Sequence, residues 1–173
     1  MSELATYSAI ERLNDGREVQ IRALRAEDKE NFLSAVAKVS AKTMYRRFFG
    51  PKREFSEKEI AFFLNVDLKT HVALIACVSE HEQSTIAGAA RYVMTTPGVA
   101  EVAFAVVDAY QGLGMGSILL RHLTELARKA NLQELTADVL SENAPMIKVF
   151  EKSGLALKKS RGDGLIHVTI RLQ

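Results

Sequence analysis

Tryptophan is missing from this 173-residue chain, cysteine occurs once and proline only three times. The lone Cys77 cannot close an internal disulfide, so packing and hydrogen bonds must hold the fold, and a reducing, cytoplasmic setting is expected. No apolar run approaches the roughly 20 residues that a membrane-spanning helix needs. The opening Met1-Ser2-Glu3-Leu4-Ala5-Thr6 lacks the basic-then-apolar order of an export signal. Charge of one sign is also scarce. With 23 basic against 21 acidic residues, the net +2 argues for neither a nucleic acid nor a membrane surface as partner, though it allows a local basic patch for a phosphate. The histidines, His71, His81, His122 and His167, are scattered without ligand spacing, so no metal site is expected. Nothing in the sequence fixes an oligomeric state.

What is present suits one domain spanning residues 1–173: 47% hydrophobic and 25% charged residues, enough for a core of its own. Asn14-Asp15-Gly16 is turn chemistry between two stretches of strand character, 7–13 and 17–24, and predicts a hairpin. Residues 27–49 read as helix in two pieces. Ser56-Glu57-Lys58-Glu59 is a capping box that opens a helix with Ile60, Phe63 and Leu64 on one face. Apolar runs 72–78, 86–94 and 99–107 follow as strands, the last two joined through Thr96-Pro97-Gly98. Met115, Ile118, Leu119, His122, Leu123, Leu126, Ala127 and Ala130 recur at helical spacing. Then come a strand at 134–140, a short helix at 145–152 and closing strands at 155–160 and 164–172. This order describes one α/β domain of mixed, α+β character.

The segment that carries chemistry is Glu101 to Gly116, where a strand runs into a loop with glycines at 112, 114 and 116 and a long helix begins. Such a helix start offers unpaired backbone N–H groups and the positive end of the helix dipole. Three positions without side chains let the backbone close around a phosphate or pyrophosphate. The other reading is a flexible strand-to-helix turn with incidental glycines. A Walker loop is disfavoured because Gly116 is followed by Ser117-Ile118 rather than Lys-Ser/Thr. A dinucleotide fingerprint is disfavoured by glycines at every second position.

Gln111-Gly112-Leu113-Gly114-Met115-Gly116 resembles the Gln/Arg-x-x-Gly-x-Gly/Ala signature of the GNAT superfamily of acyl-CoA-dependent N-acyltransferases. Asn143 through Lys152 and Gly154-Leu155 resemble its final helix and following strand. The N-terminal half is similar to the acetyltransferase domain of bacterial Pat-type protein lysine acetyltransferases. That similarity rests on Leu13–Gly16 with Val19-Gln20-Ile21-Arg22, on Met44-Tyr45-Arg46-Arg47-Phe48-Phe49, and on Asp67 with His71-Val72-Ala73-Leu74. The likeness covers roughly residues 11 to 172. It implies a GNAT fold, a twisted mixed sheet of six to seven strands flanked by about four helices. It also implies acetyl-CoA as cosubstrate, with its pyrophosphate on Gln111, Gly112, Leu113, Gly114, Met115, Gly116 and Ser117, and Asn143 at the cofactor. Two departures stand out. Pat-type proteins often carry a second domain, for which 173 residues leave no room. Where many GNAT enzymes have a tyrosine that protonates the leaving thiolate, this chain has Phe150.

Glu101 falls where the resemblance places a catalytic base, although an isolated glutamate at a strand end also reads as a solvated carboxylate. Alternation puts Ala103, Ala105 and Val107 on its side of the strand, mostly small residues that leave space for a ligand. The bulge that the resemblance implies in this strand would shift that register. Asn143, just before Ala144-Pro145, also reads as a helix cap. Cys77 reads as a buried small hydrophobe rather than a nucleophile. The functional expectation is acetyl transfer to a primary amine, foremost a protein lysine and plausibly one on an acyl-CoA synthetase. A small amine such as a polyamine or aminoglycoside is the rival acceptor, and a non-catalytic acyl-CoA-binding module is the rival class.

Overall fold

The computed structural model describes residues 3–52 and 54–172; Met1, Ser2, Arg53 and Gln173 lie outside the described residues. Strands β1 (Ser8–Arg12) and β2 (Glu18–Ala23) form the opening hairpin, its turn closed by Gly16 at φ 92°. Helices α1 (Lys29–Ala37), α2 (Ala41–Phe48) and α3 (Glu57–Leu64) follow. Next come β3 (His71–Glu80), β4 (Gln83–Thr96), β5 (Val99–Val106) and helix α4 (Met115–Lys129). The chain closes with β6 (Glu134–Leu140), α5 (Ala144–Glu151), β7 (Ala156–Gly162) and β8 (Leu165–Arg171). All strands join one sheet of order β1-β2-β3-β4-β5-β6-β8-β7. Among the described residues there are eight strands and five α-helices, more of each than the resemblance implies.

Local chemistry explains the boundaries. Ser56 Oγ accepts from Glu59 N–H while the Glu59 carboxylate accepts from Ser56 N–H, so the capping box forms as read and starts α3. Ser40 caps α2 by accepting from Thr43 N–H. Along β4, alternate residues face opposite layers. Gly88 lies under α4, so close that a Cβ there would stand 2.7 Å from Met115 Sδ. Arg91 faces α3, donating to the Phe63 carbonyl at 3.1 Å. Met115, Leu119, Leu120, Leu123 and Ala127 of α4 are buried against the sheet. The helical stripe also contains His122. It is buried between the Tyr7 hydroxyl and Glu11, whose Oε2 lies 2.5 Å from Nε2 and also takes Arg121 at 2.9 Å.

One pairing shapes everything that follows. β5 runs antiparallel to β4 along its length but meets the parallel strand β6 over only three rungs, Val99 with Glu134, Ala100 with Leu135 and Glu101 with Thr136. Past Glu101 the two strands part. The irregularity expected inside β5 lies elsewhere: residues 100–106 pair in unbroken register, and the shift is in β4 between Met94 and Thr96, beside the hairpin turn. Opening therefore comes from lost pairing with β6, and the side-chain alternation along β5 is undisturbed.

Candidate active site

A cleft of about 270 Å³ fills the gap where β5 and β6 separate. Residues 101–106 of β5 form one wall and Ala137, Asp138 and Val139 of β6 the other. Because β5 beyond Glu101 has a ladder partner only in β4, alternate backbone groups on its other edge face the cleft. Glu101 is exposed and stands on the last paired rung. Ala103 and Ala105 follow on the same side and leave room beside the strand. Five steps of strand lead from Glu101 to the end of β5 at Val106, a span of roughly 17 Å. The cleft thus has two distant ends.

At the far end sits the glycine loop. Its first helical hydrogen bond runs from Ile118 N–H to Gly114 C=O, so the amides of Met115, Gly116 and Ser117 have no partner inside the helix. The three glycines have three separate reasons. Gly112 (φ 77°) and Gly114 (φ 86°) occupy left-handed backbone. Gly116 lets α5 approach, since a Cβ there would meet Val149 Cγ2 at 3.3 Å. Gln111 does not reach toward a ligand with its side chain. Its Nε2 donates to Val106 C=O at 2.9 Å and to Thr43 Oγ1 at 3.0 Å, clamping the loop onto α2. Asp108 reinforces that clamp by accepting from Ser40 N–H (2.8 Å), Ser40 Oγ (2.7 Å) and Thr43 Oγ1 (3.1 Å). Partial burial pushes the Asp108 carboxyl up, but these donors outweigh it and hold the group below the usual range. The opening hairpin buttresses the loop from behind, with Asn14 N–H donating to Leu113 C=O at 2.9 Å.

The structure gathers Glu101, Ala105, Gln111, Gly112, Gly114, Met115, Gly116, Ser117 and Asn143 around the cleft. Leu113 and Val107 do not line it. Leu113 packs against the core, and Val107 is buried with its N–H donated to Ala87 C=O at 2.8 Å. Asn143 lines the cleft and caps α5, its Oδ1 accepting from Met146 N–H at 3.3 Å. Phe150 is buried, edge-on to Phe104 with ring centroids 6.0 Å apart. Cys77 is buried in β3, and burial pushes its thiol pKa up.

Sequence reasoning missed part of the wall. Thr43, Arg46 and Arg47 of α2 line the cleft, as do Phe49, Tyr110 and Asp138. The signal was available: positions 43, 46 and 47 stand at i, i+3 and i+4 and share one helix face. Asp138 bonds to His167 Nδ1 at 2.6 Å. Burial pushes the Arg47 guanidinium below the ordinary arginine range, and nearby Glu101 pulls it back. Behind it, buried Arg91 is pushed down to about 9 by burial and by Arg47.

Residues 38–155 match the model of the acetyltransferase (GNAT) family. The chain belongs to the GNAT family. It is 34% identical over 127 residues to an acetyltransferase of Pseudomonas aeruginosa, covering 73% of this chain and 68% of that protein. With acetyltransferase Pat of Mycolicibacterium smegmatis it shares 30% identity over 136 residues, 78% of this chain but only 40% of that longer protein. The crystal structure of the GNAT domain of S. lividans PAT superposes with a TM-score of 0.87 at 32% identity, covering 95% of this chain and 96% of that domain. The GNAT fold is thus present, and the chain is an acyl-CoA-dependent acetyltransferase of this family.

Proposed function

We propose that this GNAT enzyme transfers an acetyl group from acetyl-CoA to the ε-amine of a protein lysine, with Glu101 as general base. The observation that carries the reading is the place of Glu101: exposed, on the last rung before β5 and β6 part, about 17 Å along the strand from the end that leads into the glycine loop. A pyrophosphate on the amides of Met115, Gly116 and Ser117 puts the pantetheine arm along β5 and the thioester beside Glu101. A lysine amine, with pKa about 10.4, arrives protonated at neutral pH, so a carboxylate that accepts its proton directly or through water is useful. The freed amine attacks the thioester carbonyl, and cleft-facing N–H groups of β5 steady the oxyanion. The C–S bond then breaks. A thiolate with pKa near 8.5 leaves without full protonation, which suits a site where Phe150 supplies no hydroxyl.

Support for a protein acceptor comes from the surroundings. The side of the sheet that carries Glu101 continues across β6, β8 and β7 as an exposed polar face bearing Asp138, His167, Ser160 and Lys158. The half-exposed ring of Phe49 also lines the cleft. A polyamine site would gather carboxylates, whereas the charged lining here is Arg46, Arg47, Glu101 and Asp138. The Pat-like N-terminal half points the same way. The test is mass spectrometry of lysine acetylation on acyl-CoA synthetase-type proteins, run beside thiol-release kinetics on polyamines and aminoglycosides. Site-specific protein acetylation is expected. A specificity constant for a small amine far above that of every protein offered would overturn the acceptor and leave the donor chemistry standing.

A further inference from the structure

Two arginines of α2 lie in the cleft without a counter-charge in contact. Arg46 and Arg47 both line it, and no described carboxylate comes within ion-pair distance of either. Arg46 Nε is buried and has no hydrogen-bond partner. The Arg47 guanidinium lies over the face of Phe48, 4.6 Å from the ring centroid. Elsewhere in the molecule, partly buried arginines are paired: Arg22 with Asp28 at 2.7 Å, and buried Arg91 with Phe63 C=O and His71 Nε2. A desolvated cation costs free energy unless an anion offsets it. A binding partner that brings the anion removes that cost.

At the glycine loop the pyrophosphate has the free amides of Met115, Gly116 and Ser117. Arg46 and Arg47 stand one helical turn beyond Thr43, the α2 residue bonded to that loop, in the wall of the cleft that Glu101 also lines. An acetyl group has no charge to offer. The anion that suits this wall is one that the acceptor brings. Resting on the protein-lysine reading above, we propose that Arg46 and Arg47 form a carboxylate subsite that selects lysines with an acidic residue beside them. A guanidinium suits this task because its planar fork pairs a carboxylate through two parallel hydrogen bonds, which an ammonium does not. The acceptor lysine then approaches Glu101 while its acidic neighbour engages the α2 wall. Because α2 is clamped to the loop through Ser40, Thr43, Asp108 and Gln111, the subsite is held at a fixed distance from the bound donor.

Lysine peptides that differ only in Glu or Gln next to the acceptor test this, measured as kcat/KM with saturating acetyl-CoA. The Glu peptides are expected to exceed the Gln peptides by tenfold or more, an advantage that shrinks as salt rises. In Arg46→Gln and Arg47→Gln the ratio falls toward one, and in Arg47→Glu it inverts toward Lys-flanked peptides; a cooperative thermal transition checks that each variant is folded. A tenfold or greater loss of acetyl-CoA affinity in either Gln variant would overturn the subsite, because the anion would then be a cofactor phosphate. Equal rates for Glu and Gln peptides in the wild-type enzyme would overturn the subsite without recourse to any variant. A strong preference for succinyl-CoA over acetyl-CoA that disappears in Arg47→Gln would also overturn it, because the anion would then sit on the acyl chain. Turnover confined to free amino acids over their amides, with that preference lost in Arg47→Gln, would keep the subsite and discard the protein-lysine reading.

Discussion

Gly114 shows how much one position can carry. Its φ of 86° is strained for any L side chain, and a Cβ there would stand 3.1 Å from Asn14 Oδ1, in the turn that props the loop. A valine at this position must move either the loop or the hairpin turn behind it. Gly114→Val is expected to weaken acetyl-CoA binding at least tenfold, about 1.4 kcal/mol. Isothermal titration of the folded variant checks this, and unchanged affinity would contradict the assignment of the loop. At this scale the sequence was legible in type more than in role. The six-residue signature marked Gln111 and the glycines, yet Gln111 turns back to brace α2, Gly116 admits α5, and Leu113 faces the core. A motif records that residues are needed together; only the packing around them says what each one does.

Elements were easier to read than their contacts. The capping box placed α3, the apolar stripe placed α4 and the alternation of Leu135, Ala137 and Val139 placed β6, each from a periodic or local signal. The shared helix face of Thr43, Arg46 and Arg47 was present in the sequence, but charged residues on a short helix read by default as a solvated face, so the cleft wall was missed. The same holds for the joint between α3, β3 and β4. There His71 accepts from Arg91 Nη1 at 2.8 Å through Nε2, so its proton resides on Nδ1, and Phe62 stacks on it with centroids 4.8 Å apart. Burial, and then the Arg91 charge, push the His71 pKa down from 6.5 to about 4. Between those values the unfolded chain binds a proton that the folded one refuses, so stability rises with pH across that window and is fully present above it. Acidifying from pH 7 to pH 4.5 is expected to remove on the order of 2 kcal/mol through this residue. Urea midpoints across that range test it, and His71→Gln should flatten the slope. An equally steep slope in the variant would place the proton uptake elsewhere.

For the whole molecule, the decisive feature is a sheet that is continuous everywhere except beyond Glu101, where a three-rung parallel ladder ends and a cleft begins. The sequence pointed to the strand, the loop and the helix that build this place. It could not give the number of rungs, because pairing length between strands separated by a helix depends on packing from both faces. The opening hairpin illustrates the same limit: Asn14-Asp15-Gly16 announced a turn, and nothing local said that the turn would rest on the glycine loop about a hundred residues later. This cleft is proposed to hold acetyl-CoA with Glu101 beside the reacting thioester. Glu101→Gln keeps the side-chain shape and removes the proton acceptor. Single-turnover acetylation and calorimetric titration of that one variant test this placement. Transfer is expected to slow by about 10²-fold or more with acetyl-CoA affinity nearly unchanged. Transfer at the wild-type rate would contradict it, leaving Glu101 as a solvated carboxylate at the end of a ladder.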